Sequence, residues 1–108
     1  MMTFTPDTDE TPVIFRADGE NGQTYITAVF PTIPADNEGY KMSCYAHVGQ
    51  HSACDFGWYN QTRAAKPAEY ADLKRELESA PYGYRLKVYR RMQRGRFLAA
   101  RRAALKRG

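Results

Sequence analysis

Long apolar stretches are absent from this chain of 108 residues. No apolar run approaches the ~20 residues that a helix needs to cross a membrane. The start of the chain, residues 1–12, is acidic and rich in threonine, and it lacks the apolar core of a secretory signal. We therefore expect no membrane-spanning segment and a cytoplasmic location. The length suits one domain, and an apolar content of 43% is enough for a core, which argues against a disordered chain.

Basic side chains are scarce in the first part of the chain, and acidic side chains are absent from its last part. Residues 1–60 carry two basic and eight acidic side chains, a net charge of −6. Residues 61–84 are balanced, and residues 85–108 carry ten basic side chains and no acidic one. The overall charge of +4 is therefore set by the last 24 residues and does not describe the chain as a whole.

Composition divides the chain into three predicted parts. Residues 1–11 hold three acidic residues and four threonines with almost nothing to bury, so we expect a flexible acidic leader. A single α+β domain is predicted over residues 12–90. A basic helical tail is predicted over residues 91–108, because alanine and arginine favour helix.

The first half of the chain has the pattern of β-strands. An apolar run opens at Val13, the stretch 19–22 has turn-forming glycine and asparagine, and residues 23–30 favour a second strand, so we expect a hairpin. Proline cannot donate to a neighbouring strand, so Pro31 is predicted to end the second strand. Residues 40–48 alternate apolar and polar side chains, which predicts a third strand in a sheet with one buried side.

A helix is predicted to follow the strands. Pro67 is a favoured first helical residue. Tyr70, Leu73 and Leu77 then form an apolar stripe at helical spacing. The residues between these positions are largely charged, which predicts that the opposite face of this helix is exposed.

Three further elements complete the predicted order. The segment after Gly49 returns through Cys54 as a possible fourth strand, residues 84–89 alternate like a strand, and helix is favoured from Arg90 onward. The order is thus β-β-β-(β)-α-β followed by a basic helix. This order predicts an α+β fold, in which one helix packs on a small antiparallel sheet.

The two cysteines and two histidines lie close together, as Cys44, His47, His51 and Cys54. Zinc takes four such ligands. Cys44 and His47 are three residues apart on a predicted strand, however, and so face opposite sides of the sheet. We therefore assign no metal and keep these four residues only as candidates for a metal site.

A hairpin centred on Gly49 places Cys44 opposite Cys54 and His47 opposite His51. Directly opposed cysteines are within reach of a disulfide, but a chain without an export signal is expected in a reducing compartment. Two free thiols are the preferred interpretation, with a redox-dependent disulfide and zinc as alternatives.

The two histidines also suggest acid–base chemistry, because histidine titrates near neutral pH. The alternative is that the stretch around Gln50 shapes a turn. The sequence has no nucleophile motif, and its glycines are too scattered for a phosphate-binding loop. We therefore predict no catalytic residue and no cofactor.

Five stretches of the chain stand out together: residues 11–16, 27–34, 44–51, 66–78 and 86–88. They resemble a small uncharacterised bacterial family found in phages, plasmids and other mobile elements. The most specific part is the His-x-Gly-Gln-His motif made by His47, Gly49, Gln50 and His51. The resemblance implies a mobile-element context and no established activity, and it leaves the role of this motif and of the basic tail open.

The basic end of the chain is the strongest functional signal. Arginine suits phosphate geometry, and Tyr82, Tyr84 and Tyr89 lie near arginines, where they are candidates for stacking on bases. The predicted nucleic-acid contacts are Arg85, Lys87, Arg90, Arg91, Arg94, Arg96, Arg101, Arg102, Lys106 and Arg107. The alternatives are a solvated tail, a tail that folds back on the acidic part of the chain and a tail that binds an acidic protein partner. Binding to a membrane surface is disfavoured, because large apolar residues are scarce in the tail.

Three functions from different classes follow. The first is a non-enzymatic accessory protein of a mobile element that binds nucleic acid through its tail. The second is a module that inhibits a host defence protein, through an aromatic-rich segment made by Tyr40, Tyr45, Phe56, Trp58 and Tyr59. The third is a histidine- or metal-dependent enzyme built on His47 and His51.

Overall fold

A sheet of six strands organises the protein. The computed structural model describes residues 10–20, 22–46 and 50–107. The elements are β1 (Thr11–Glu20), β2 (Gln23–Pro34), β3 (Met42–Ala46), β4 (Gln50–Cys54), α1 (Phe56–Asn60), β5 (Arg63–Ala64), α2 (Pro67–Glu78), β6 (Leu86–Val88) and α3 (Arg94–Arg107). The predicted α+β class is confirmed.

The predicted hairpin is formed by β1 and β2. Their register runs from Ile14 opposite Val29 to Glu20 opposite Gln23. Gly22 lies in the connection with φ +82°, a conformation that glycine adopts without strain. Strand β1 begins at Thr11, earlier than predicted, because Thr11 pairs with Leu86 of β6. The leader is therefore shorter by at least this residue, and the prediction for residues 1–9 lies outside the described part of the chain.

The sheet has the order β4-β3-β2-β1-β5, and β6 pairs with β1 as well. The short strands β5 and β6 share one edge of β1. β5 pairs antiparallel with β1 at Arg16 and Ala17. β6 pairs parallel with β1 from Thr11 to Val13. The sheet is thus antiparallel with one parallel pair, and a gap remains between β5 and β6.

The prediction that Pro31 ends β2 is wrong. The strand continues to Pro34, and the register with β3 shifts between Phe30 and Pro34. An irregularity of this kind removes the need for a donor at proline. Pro31 is fully buried, and its carbonyl oxygen accepts a hydrogen bond from the Arg101 side chain.

Both faces of the sheet are covered, so the prediction of one buried side is also wrong. On one face, Leu73 and Leu77 of α2 pack on a cluster that includes Phe30 and Tyr45. On the other face, Phe97 of α3 packs with the opposite side chains of the same strands. The alternation in β3 was correct, but its less apolar face holds Tyr45, which is only 1% exposed.

The helix α2 has the predicted start and stripe. It begins at Pro67, and its first turn contains Glu69, whose carboxylate accepts a hydrogen bond of 2.8 Å from the backbone N–H of Lys66.

The short helix α1 was not predicted. Its sequence signal is Asp55, whose carboxylate accepts a 2.9 Å hydrogen bond from the N–H of Trp58, as an N-cap does.

The basic helix α3 begins at Arg94, three residues after the predicted start of the tail at residue 91. It lies against the sheet, with Phe97 and Arg101 each only 1% exposed. The packing face of this predicted tail is therefore part of the core. Within the described residues, no helix is long and apolar enough to span a membrane.

Candidate nucleic-acid interface

Eight basic side chains near the C-terminus are exposed, and together they form what we call the basic face. They come from β6, from the connection that follows it and from α3. The basic face consists of Arg85, Lys87, Arg90, Arg91, Arg94, Arg96, Arg102 and Lys106. Within the described part of the chain, none of them forms an ion pair with a carboxylate, so their charge is available to a ligand.

Tyr89 joins the two halves of the basic face. The Lys87 ammonium lies 5.7 Å from the centre of its ring, and the Arg96 guanidinium lies 5.8 Å from it. The ring itself stands edge-on against Phe97 at 5.2 Å. Cations at such distances are attracted by an aromatic ring. Tyr89 therefore lies near one cation from β6 and one from α3.

Two further arginines of the basic face rest on aromatic rings. The guanidinium of Arg94 lies 4.4 Å from the ring centre of Phe56, and that of Arg102 lies 5.3 Å from the ring centre of Tyr40. Arg102 also donates a 3.2 Å hydrogen bond to the Tyr40 hydroxyl. Sequence reasoning did not pair these residues, because 38 or more positions separate them.

Arg101 does not belong to the basic face, which corrects its prediction as a phosphate contact. Its guanidinium donates hydrogen bonds to the carbonyl oxygens of Gly39, at 2.7 Å, and Pro31, at 2.5 Å. Burial lowers the pKa of this group from its usual value, but arginine stays charged in proteins. The charge is held inside the fold by oriented carbonyls. Arg107 is the last residue of α3.

A cleft opens where β5 and β6 part along the edge of β1; we call it the β1-edge cleft. It has a volume of about 270 Å³ and is lined by Phe15, Arg63, Ala64, Ala65, Lys66, Pro67, Tyr70, Val88, Tyr89 and Arg90. Arg90 and Tyr89 make it continuous with the basic face. Lys66 and Arg63 add positive charge from outside the C-terminal region, which no sequence pattern indicated.

The histidine motif is only partly described, because His47 and Gly49 lie outside the described residues. Gln50 opens β4 opposite Ala46, and His51 lies opposite Tyr45. The exposed ring of His51 sits among aromatic rings, 4.9 Å from Tyr45 and 5.8 Å from Tyr82. Its Nε2 is 3.3 Å from the hydroxyl of Tyr84.

Tyr82 and Tyr84 therefore belong to the aromatic cluster around His51. Among the described residues, no cation of the basic face lies over either of these two rings, which were considered as stacking residues beside the arginines. Beneath this cluster, the Tyr45 hydroxyl donates to the Glu76 carboxylate. That carboxylate favours the protonated hydroxyl and raises the pKa of Tyr45.

The predicted pairing of Cys44 with Cys54 is wrong by two residues. Cys44 lies opposite Ser52, and Cys54 lies opposite Met42. A shift of two residues keeps each side chain on its face of the sheet, so both cysteines still face α3, whereas His51 faces α2. Of the candidate metal ligands, the structure thus places Cys44 and Cys54 on one face and His51 on the other, and His47 lies outside the described residues.

Cys44 and Cys54 are free and buried. The two residues are diagonal neighbours on adjacent strands, and the Cα atoms of such a pair are roughly 7–8 Å apart. This separation is beyond the usual Cα–Cα distance of a disulfide. The neighbouring thiol of Cys54 is the main cause that lowers the pKa of Cys44, and Ser52, whose hydroxyl lies 3.2 Å from the Cys44 sulfur, lowers it further. The pairing of the two thiols raises the pKa of Cys54.

The aromatic-rich segment lies mostly within the core. Tyr45 is 1% exposed and Tyr59 7%, and Phe56 and Trp58 are half-buried. Only Tyr40, at 54%, is well exposed. The structure explains these aromatics by packing, and they do not form a continuous exposed apolar patch.

Comparison with protein-family models, with curated proteins and with solved structures found no match to this chain. The resemblance to a mobile-element family therefore stays an expectation. The features of this chain that bear on its function are the basic face, the β1-edge cleft and the aromatic cluster around His51.

Proposed function

We propose that this protein binds nucleic acid through the basic face, as a non-enzymatic accessory protein. The observation that carries the proposal is that the Lys87 ammonium and the Arg96 guanidinium lie 5.7 and 5.8 Å from the centre of the same Tyr89 ring. Two segments that are separate in sequence thus present cations around one aromatic side chain. A solvated tail would not need such an arrangement.

The chemistry of the basic face suits a polyanion. Guanidinium groups match phosphate oxygens in geometry and keep their charge at any physiological pH. The rings of Tyr89, Phe56 and Tyr40 restrict the cations that lie over them, which lowers the side-chain entropy lost on binding. No described carboxylate competes for these groups.

Salt-dependent binding tests this proposal. If about five phosphates are neutralised, the logarithm of the binding constant for duplex DNA falls with the logarithm of salt concentration with a slope near −4.5. The measurement is fluorescence anisotropy of a labelled duplex between about 50 and 200 mM salt. A host protein bound through apolar surface would show little dependence on salt.

A charge-matched pair of variants separates position from net charge. The test variant is Lys87→Gln/Arg96→Gln, and the control Lys74→Gln/Arg75→Gln removes the same charge from α2, away from the basic face. We expect the test variant to flatten the slope by about 1.8 for duplex DNA, since each phosphate contact contributes about 0.9. Equal weakening by both variants would contradict a localised interface, and wild-type protein that binds no nucleic acid would end the proposal.

A further inference from the structure

The β1-edge cleft has an aromatic floor. Phe15 and Tyr70 stack there with ring centres 4.3 Å apart and planes within 8° of parallel. Val88, which is 38% exposed, lines the same cleft together with Tyr89. A flat, apolar surface of this kind suits a flat, apolar ligand face such as that of a nucleobase.

Positive charge surrounds this floor. Lys66, Arg63 and Arg90 all line the cleft. Arg63 is engaged by Glu69, to which it donates hydrogen bonds of 2.9 and 2.7 Å. Lys66 and Arg90 form no ion pair with a carboxylate among the described residues. Two cations thus remain for a phosphate beside a surface for a base.

The volume of about 270 Å³ lies near the lower end of the range of ligand pockets. It suits one nucleotide unit and is too small for a large cofactor. A base inside a duplex is stacked and paired, so it cannot enter such a cleft without leaving the helix. A single strand exposes its bases freely.

From this geometry we infer that the preferred ligand is single-stranded nucleic acid, one nucleotide of which enters the β1-edge cleft while its neighbours follow the basic face. The inference rests on the proposed function and specifies its ligand. Tyr89 links the two regions, because it lines the cleft and the cations of Lys87 and Arg96 lie 5.7 and 5.8 Å from the centre of its ring. The base stacks on the aromatic surface, and Lys66 and Arg90 bind the phosphate.

The experiment compares a deoxythymidine strand with a duplex of the same length, by anisotropy at one salt concentration. Duplex DNA has the higher charge density, so a purely electrostatic interaction binds it at least as tightly as the single strand. A base contact in the cleft is expected to reverse this order and favour the single strand by about tenfold, since one stacked base contributes about that much. Val88→Trp fills the cleft and leaves every cation in place, so it should abolish the preference while duplex affinity stays unchanged.

A second variant and a second measurement guard against misfolding of Val88→Trp. Lys66→Gln removes a cation of the cleft from an exposed position, with Lys74→Gln as the matched control on α2, and only the former should weaken single-strand binding. Ultraviolet crosslinking of the strand to wild-type protein should label the peptides that contain Tyr70 or Tyr89.

Three results distinguish the two proposals. Equal or tighter binding of duplex by the wild-type protein, or crosslinks confined to α3, would overturn the cleft inference and leave the proposed function intact. Retention of the single-strand preference in a folded Val88→Trp variant would also overturn it. Failure of the wild-type protein to bind either form would overturn both.

Discussion

The guanidinium group of Arg101 donates a hydrogen bond of 2.7 Å to the carbonyl oxygen of Gly39, a residue 62 positions earlier in the chain. Gly39 lies in the connection between β2 and β3, and its own N–H donates to the carboxylate of Asp36 at 2.8 Å. Arg101 also donates to the carbonyl oxygen of Pro31. One buried side chain therefore joins α3 to β2 and to the loop that follows it, and it fixes the helix that carries half of the basic face.

Replacement of Arg101 by methionine is expected to destabilise the fold by about 2–4 kcal/mol. The variant keeps an apolar side chain of similar length but leaves two carbonyl oxygens without their donors, and each such loss costs about 1–3 kcal/mol. The measurement is the free energy of unfolding in urea. Lys106→Met, at an exposed position of the same helix, should change it by no more than about 0.5 kcal/mol. Similar values for both variants would contradict the role of Arg101.

Gly39 and Gly22 form a matched pair for a second prediction. Both have φ +82°, so alanine at either position incurs the cost of a left-handed conformation, about 1–2 kcal/mol. A Cβ atom at Gly39 would also lie 3.3 Å from Cγ of Arg102, whereas nothing lies within 4 Å of one at Gly22. We expect Gly39→Ala to be more destabilising than Gly22→Ala by about 1 kcal/mol, because α3 must shift to make room. Thermal unfolding of the two variants measures this difference, and equal midpoints would show that α3 does not press on this loop.

The raised pKa of Tyr45 determines how its contribution to the stability of the fold changes at alkaline pH. Its pKa is raised in the folded protein, chiefly because its hydroxyl donates to Glu76. In the unfolded chain tyrosine ionises near pH 10. Above that pH the unfolded state has lost a proton that the folded state retains, so the contribution of Tyr45 to stability, complete below about pH 10, declines as the pH rises.

Tyr45→Phe should therefore be less stable near neutral pH by about 1 kcal/mol, the usual value of one hydrogen bond. It should also show a weaker decline of stability above about pH 10. Urea unfolding at both pH values gives the two quantities. Tyr25→Phe, at a tyrosine that is 51% exposed, is the control, and an identical alkaline profile in both variants would contradict the prediction.

The two thiols should titrate very differently. The neighbouring Cys54 thiol is the largest cause of the lowered pKa of Cys44, and Ser52 contributes further. Thiolate absorbance of the native protein should therefore rise with a midpoint below the ordinary thiol pKa of about 8.5, and Cys44→Ala should remove that transition. Cys54→Ala should move the midpoint upward, towards the ordinary thiol pKa of about 8.5. A wild-type protein with no thiolate transition below about pH 8 would refute this assignment.

Local sequence patterns predicted elements whose causes are local. The hairpin of β1 and β2 and the helix α2 follow from turn residues, from Pro67 and from apolar spacing, and all of these act within a few residues. The capping signal of Asp55 was also present in the sequence. It was overlooked because α1 has only five residues.

Errors occurred where distant residues decide the outcome. Pro31 continues a strand because a register shift and Arg101 accommodate it. The apparent polar face of β3 is buried because α2 covers Tyr45. The hairpin register at Cys44 differs by two residues from the symmetric pairing, since periodicity fixes the face of a side chain but not its partner.

The sequence by itself determined the α+β class, the two main local motifs and the concentration of positive charge after residue 84. These depend on composition and on short-range spacing. Only the tertiary structure decided which of those charges are available. Helix α3 can pack on the sheet only if one stripe of it is buried, and this requirement places Arg101 inside and leaves Arg94, Arg96, Arg102 and Lys106 outside. The same packing brings both Lys87 and Arg96 near the ring of Tyr89 and leaves a cleft beside it, because β5 and β6 are too short to fill the edge of β1.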